Sequence, residues 1–284
     1  MKNNIMKIKK KVIIKIINTL ITATIIGLMI APLFIMISVS LKSYEEVTKW
    51  PPNWIPEVLK WGNFSEVWSG DGNIKRAFMN SFIVSFSTMI LCTLLGTFAA
   101  YGVSRFKFKG KKMFMLFVLI TQMFSPVILI APMYKIITEL GLLNTYLSLI
   151  IPNTAFALPM TVWLLYGYIE GISENLEEAA MIDGCTRIQA VTKILMPLLA
   201  PGIITAGLFA FITSWNDLLF SQTFITKTEM RTLSVALTSY KSIFQTYWHK
   251  MMAGSLFSVM PVFILFLLIQ KYIVKGLASG GVKE

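Results

Sequence analysis

Six apolar segments limit what this chain can fold into, because each has the length of a membrane-spanning helix. Five lie at about residues 12–41, 77–103, 113–134, 146–168 and 251–273. The other, fifth in chain order, runs from about residue 202 to an outer segment that begins at 222. A helix of about 20 apolar residues crosses the hydrocarbon core of a bilayer. Hydrophobic residues make up 55% of the 284 and charged residues only 14%, which excludes an ordinary soluble domain. The sequence therefore predicts an all-α membrane protein with six transmembrane helices.

Basic residues set the expected orientation. Lysines precede the first span, and the second is followed by basic residues with no acid among them: Arg105, Lys107, Lys109, Lys111 and Lys112. Such residues concentrate in cytoplasmic loops, which accounts for the net charge of +12 without nucleic-acid binding. We expect cytoplasmic tails at 1–11 and 276–284 around a six-span domain at 12–275. Its outer loops are predicted at 42–76 and 222–250.

A polar segment at residues 170–198 separates the fourth and fifth spans and is predicted to form a helical hairpin. Gly184 would end its first helix, because glycine adopts the left-handed C-terminal geometry without strain. Thr186 and Gln189 form a capping box that opens a second helix. We expect that helix to stop at Pro197 after burying four apolar residues: Ile188, Val191, Ile194 and Leu195. The first helix carries carboxylates near its start, where they meet the positive end of the helix dipole: Glu174, Glu177 and Glu178.

The hairpin also carries a spaced motif. It reads Glu178-Ala179-Ala180, three residues, Gly184, nine residues, Ile194, one residue and Pro197. Between two membrane spans, this pattern resembles the shared cytoplasmic loop of the permease subunits of ATP-binding-cassette (ABC) importers. The one departure is Met196, where leucine is usual. From about Trp50 onward, the order of elements is similar to that of the maltose-type subgroup, which imports oligosaccharides and related compounds.

The resemblance implies a type I ABC importer permease fold and a role in sugar import. In that family the hairpin is seated in a cleft of an ATPase subunit. The implied coupling residues here are Glu178, Ala179, Ala180, Asp183, Gly184, Ile194 and Pro197. A further ATPase contact is implied for the C-terminal residues Gly276, Leu277 and Gly280.

The resemblance also implies a set of partners. These are a second homologous permease subunit, two ATPase subunits that carry ATP and Mg, an extracytoplasmic solute-binding protein, the sugar and the lipid bilayer. The implied location is the cytoplasmic membrane of a prokaryote, with both termini in the cytoplasm.

Polar residues inside the spans mark a candidate substrate path. Trp215, Asn216 and Asp217 lie well inside the fifth predicted span, where such groups cost energy unless they face a wet cavity. They match a Trp-Asn-acid signature of maltose-type permeases, whose members line the path there. Gln122 in the third span and Asn153 in the fourth complete the predicted set. The sequence leaves open whether these side chains contact sugar or pack against the partner permease.

The sequence gives less support to an enzyme or to another class of transporter. The sequence has no phosphate-binding loop ending in Gly-Lys-Ser/Thr, no His-Glu-x-x-His and no Cys/His cluster. We therefore expect no catalytic residue, metal or cofactor in this chain, and ATP hydrolysis on separate subunits. A permease for a non-sugar solute is one alternative, and a secondary transporter is another, although the internal repeat typical of that class is not evident. An intramembrane enzyme would need paired ionisable groups, and only Asp217 stands out.

Overall fold

The apolar segments form long helices in a computed structural model that describes residues 2–70 and 73–280, with side chains at residue 11 and at 13–70 and 73–270. Over the described residues the secondary structure is helical, apart from loops and an isolated antiparallel bridge between Lys241 and Thr246. The α-helices, in chain order, are α1 (Lys2–Ser40), α2 (Tyr44–Thr48), α3 (Gly62–Ser69), α4 (Ile74–Arg105), α5 (Lys111–Thr121), α6 (Pro126–Glu139), α7 (Leu147–Glu170), α8 (Asn175–Ile182), α9 (Arg187–Ala190), α10 (Met196–Trp215), α11 (Leu219–Phe224), α12 (Leu233–Thr238) and α13 (Trp248–Gly280).

Within the described part of the chain, five helical runs are long and apolar enough to cross a membrane. They are Ile13–Ser40, Ile74–Arg105, Leu147–Glu170, Arg187–Trp215 and Trp248–Gln270. A bent helix pair, α5 with α6, supplies a sixth span if the two are counted together. The all-helical membrane architecture is therefore confirmed.

The third predicted span is not one straight helix. Its two halves, α5 and α6, meet at 92° across a short break. Ser125 lies in that break with extended backbone angles, φ −67° and ψ 132°. The ring of Pro126 disfavours a helical conformation for Ser125, so α5, which ends at Thr121, does not continue into α6 as one helix. With 11 residues, α5 is about 16 Å long, too short to cross a core of about 30 Å by itself.

The second helix of the hairpin does not stop at Pro197, contrary to the prediction. It continues from α9 through a π-helical turn, Val191–Leu195, into α10, so that the fifth span begins at Arg187. In the π turn the Met196 N–H donates to the carbonyl of Val191, five residues earlier. Proline lacks an N–H and its ring crowds the carbonyl four residues earlier, and a wider turn accommodates both defects.

The described residues divide into two compact units, and unit 1 comprises Met1–Trp68 with Tyr240–Leu256. Its loop after α1 is held by Asn63, whose amide donates to the carbonyls of Ser40 and Lys42 at 2.8 Å each. Lys250 pairs with Glu66 at 2.9 Å, and that hydrogen bond and charge lower the pKa of the Glu66 carboxyl. The described part of the predicted outer loop, residues 42–70, is thus held by side-chain contacts.

The last helix, α13, runs to Gly280, past the predicted end of the sixth span near residue 273. Gly276, Leu277 and Gly280, for which a further ATPase contact is implied, lie outside the residues whose side chains are described.

Unit 2 comprises Ser69–Ser239 with Phe257–Glu284, and its centre is the mutual packing of α4, α7 and α10. Glycines allow close approach at these contacts. A Cβ atom on Gly96 would lie 2.9 Å from the Thr161 Cγ2 atom, and one on Gly202 would lie 2.6 Å from the Tyr168 Cγ atom. Small residues at helix crossings let backbones approach closely, which strengthens van der Waals packing between helices in a bilayer.

We expect Gly202→Ala to lower the free energy of unfolding by about 1–3 kcal/mol, because the added methyl group would overlap the base of the Tyr168 ring. Gly167→Ala is the matched control, since a Cβ atom there has nothing within 4 Å. The control should be neutral or stabilise the helix by up to about 1 kcal/mol. Thermal unfolding of both variants in detergent is the measurement, and equal shifts would contradict the packing described.

Candidate functional site

The helical hairpin forms with the predicted local geometry. Its first helix, α8, ends before Gly184, which has a φ of +91° in the left-handed region. The capping box is complete: the Gln189 N–H donates to Thr186 Oγ1 at 3.3 Å, and the Thr186 N–H donates to Gln189 Oε1 at 2.8 Å. These contacts are local in sequence, which is why the turn could be predicted.

One side of the hairpin is exposed and partly apolar. Ile182 is 86% exposed, Ile188 is 75% exposed and Leu176 is 46% exposed. The predicted burial of Ile188 is therefore wrong, because its side chain lies in an open groove beside Thr97 and Phe98 of α4. Four motif residues share this exposed side: Glu178, Ala179, Asp183 and Gly184. Apolar side chains rimmed by polar residues are typical of a protein interaction surface.

The other side of the hairpin packs on the chain itself. Ala180 is only 5% exposed and belongs to this packed side, whereas Ala179 is exposed. In the second arm, Leu195 is buried, while Val191 and Ile194 are half-buried. Pro197 is exposed and belongs to the π-turn region, away from the hairpin tip. The motif residues thus divide between the exposed side, the packed side and the turns of the backbone.

A buried ion pair fastens the hairpin to α4, and the sequence did not predict it. The Arg105 Nε atom donates to Glu177 Oε1 at 2.7 Å, and the two side chains are 6% and 8% exposed. The Tyr101 hydroxyl donates to the other oxygen of Glu177 at 3.2 Å. Arg105 also donates from Nη2 to the carbonyl of Ile172, at 2.9 Å.

One feature of the sequence indicates that Glu177 has a buried partner. Glu177 lies three residues before Ala180 and four before Met181, so it shares the packed face of α8 with them. A charge on a packed face requires a buried partner. The sequence does not identify that partner, because Arg105 lies 72 residues earlier, among several other basic residues.

A second ionic contact lies at the C-terminal end of α7, where Glu170 is the last residue of the helix. Glu170 accepts from the Ser104 hydroxyl at 2.9 Å and from the Lys111 ammonium at 3.3 Å. Lys111 also lies 5.2 Å from the ring centroid of Tyr166. This pair links α5 with α7 and is more exposed than the pair of Arg105 and Glu177.

Trp215 is placed in the helix packing. It is 2% exposed, its ring stacks on Phe211 with centroids 5.5 Å apart, and Phe78 meets it edge-on at 5.4 Å. Its indole N–H donates to the carbonyl of Ser258 at 3.1 Å. The ring has no free face in this arrangement, so it is not open to a solute.

The other four candidate path residues are polar side chains around α7 and the end of α10. Asp217 accepts from the backbone N–H groups of Phe220 and Ser221, both at 3.1 Å, and so caps α11. Asn153 lies beside that carboxylate and donates to the carbonyl of Leu149. The structure thus brings Asn153 and Asp217 together.

The remaining two differ in environment. Gln122 lies in the break between α5 and α6 and donates to the carbonyl of Phe156 at 3.0 Å. Asn216 is exposed directly after the end of α10. Among the residues whose positions are described, no three His, Cys, Asp or Glu side chains come together as metal ligands.

Comparison with known proteins identifies the family. The family model described as "Binding-protein-dependent transport system inner membrane component" matches residues 92–279. The probable ABC transporter permease protein YurM of Bacillus subtilis is 39% identical over 256 residues, covering 89% of this chain and 83% of the relative. The trehalose/maltose transport system permease protein MalG of Thermococcus litoralis is 38% identical over 205 residues, covering 72% and 74%.

A solved structure shares the fold. A chain in the crystal structure of a bacterial ABC transporter involved in the import of the acidic polysaccharide alginate superposes with a TM-score of 0.76. The alignment covers 92% of this chain and 96% of that chain at 21% identity. Since the family model spans more than half of the sequence and includes the whole hairpin, this chain belongs to the family of binding-protein-dependent transport system inner membrane components.

Proposed function

We propose that this chain is the sugar-translocating permease subunit of an ATP-driven ABC importer, and that its α8–α9 hairpin is the seat for an ATPase subunit. The observation that carries the proposal is the exposed apolar side of the hairpin. Leu176, Ile182 and Ile188 lie there around the family motif without cover from the described part of the chain. Desolvated apolar side chains at the centre of an interface contribute most of its binding energy.

Each motif residue would make a different contribution to docking. Glu178 is exposed and would pair with a basic residue of the ATPase, while the small side chain of Ala179 lets the partner backbone approach. Gly184 shapes the turn that presents Ile182, and Asp183 lies beside it as a second acidic contact. ATP and Mg would bind to the ATPase subunits, and this chain contributes no group to hydrolysis.

The proposed solute is a sugar. The support is that the relative from Thermococcus litoralis is described as a trehalose/maltose permease. The pair of Asn153 and Asp217 adds to it, with the separate polar side chains of Gln122 and Asn216. Amides and carboxylates can hydrogen-bond sugar hydroxyls. Trp215, covered on both faces, would position Asn216 and Asp217 rather than stack on the sugar.

The assembly would place this chain beside a second permease subunit in the cytoplasmic membrane of a prokaryote. The basic residues after α4 and the hairpin would face the cytoplasm, with both termini on that side. An extracytoplasmic binding protein would deliver the sugar to the outer loops.

We expect Ile182→Glu to reduce ATPase retention by about tenfold or more, because a carboxylate would replace an apolar contact at the hairpin tip. Glu178→Ala should weaken retention as well. The measurement is co-purification from native membranes with an N-terminally tagged chain, quantified by mass spectrometry. Ile243→Glu is the matched control, since Ile243 is 95% exposed outside the hairpin. Undiminished retention in both hairpin variants would refute the docking assignment.

For the substrate path, we expect Asn216→Ala to lower sugar uptake by about tenfold at low sugar concentration, because the exposed amide would no longer bond a hydroxyl group. The wild-type importer in vesicles is first screened with radiolabelled mono- and oligosaccharides, including trehalose and maltose. Gln222→Ala, an exposed amide beyond the path, is the control. Uptake of no sugar by the wild type, while amino acids or peptides enter, would contradict the proposed solute class.

A further inference from the structure

We infer that the hairpin drives α4, the second span, through the buried ion pair of Arg105 and Glu177. Arg105 and Glu177 are then positioning residues that transmit motion rather than groups that touch solute or nucleotide. This inference rests on the proposed function and concerns how movement of the hairpin reaches the transmembrane helices.

The geometry of Arg105 is the first step. It is the last residue of α4, and its guanidinium bonds to two separate segments beyond that helix. One is α8, through Glu177 at 2.7 Å, and the other is the linker between α7 and α8, through the Ile172 carbonyl at 2.9 Å. Glu174 lies 4.0 Å away, at the border of α8. A single side chain therefore fixes α8 and its linker to α4.

Burial makes this attachment stiff. Both charged side chains are more than nine-tenths buried, and Tyr101, one turn earlier on α4, donates to the second oxygen of Glu177. Separating a buried pair leaves an uncompensated charge, so the two groups remain together when either helix moves. Arg187 at the start of α9 adds a contact above the ring of Phe106, with its guanidinium carbon 5.0 Å from the ring centroid.

The covalent connections of α8 are less direct. On one side the chain passes through Gly171 and a short linker to α7. On the other it turns at Gly184, and the helix that follows is interrupted by the π turn before it becomes α10. Both routes contain departures from regular helix, where backbone angles can adjust. The bonded contact with α4 has no such joint.

Close helix packing would then spread the movement. Gly96 of α4 lies against Thr161 of α7, and Gly207 of α10 lies against Thr93 of α4. Interiors packed at this density transmit displacement rather than absorb it. A shift of α8 would therefore reach α7 and α10 mainly through α4.

The test uses the whole importer reconstituted in vesicles, with the sugar that the wild type transports. In Glu177→Gln and Arg105→Gln we expect about tenfold less sugar transported per ATP hydrolysed, with the ATPase subunits retained as in the wild type. Lys111→Gln is the matched control, because it removes a nearby ion pair between α5 and α7 that does not include α8 or α9. Wild-type coupling in both variants would overturn the inference, and so would loss of the ATPase subunits, which would make the pair a docking element.

A crosslinking rescue separates transmission from a merely structural role. Arg105→Cys with Glu177→Cys is made in a background of Cys92→Ala and Cys185→Ser, and a short bis-methanethiosulfonate reagent joins the two thiols. Crosslinking should restore coupling, and reduction should abolish it again. Coupling that stays low in the crosslinked importer would overturn the inference. If the wild-type chain itself retains no ATPase, the proposed function fails, and that result is distinct from either outcome of the rescue.

Discussion

The close packing of α4 against α7 and α10 is the contact on which unit 2 depends. In a bilayer, burial of apolar side chains between helices gains little, because lipid is as apolar as the helices. Backbone approach at small residues supplies the attraction instead, and Gly96, Gly202 and Gly207 provide it here. The Thr161 hydroxyl, buried at one of these contacts, donates to the Ala157 carbonyl of its own helix. The three helices therefore form one packed body.

Two departures from regular helix follow from prolines, and they have different results. Pro126 comes after a residue in the extended region, and the chain breaks into α5 and α6 at 92°. Pro197 is instead taken up by a π turn, and the helix continues. The second solution joins the hairpin to the fifth span without a loop. Both keep most backbone groups bonded, which the low-dielectric surroundings of a membrane require.

Local chemistry explains how much the sequence could predict. Five of the six spans, the left-handed Gly184 and the capping box at Thr186 depend on neighbouring residues and on periodicity, and all of these are present. The pairing of Arg105 with Glu177 and the exposure of Ile188 depend on how distant helices meet. Periodicity places Glu177 on the packed face of α8 but does not identify its partner. Trp215 illustrates the same limit, since its motif predicted a path residue and only the fold shows its ring covered by Phe211 and Phe78.

The two adjacent glutamates of α8 show how one short helix can serve two surfaces. Successive residues of a helix point about 100° apart, so Glu177 and Glu178 face different directions. Glu177 is buried against α4, while Glu178 is exposed beside Ala179. A partner bound to the exposed side would load a helix whose opposite side is already tied to the packed body. Because α8 spans only eight residues, little backbone lies between the two contacts to absorb that load. The proposed docking and transmission contacts are thus separated by a single position in the chain.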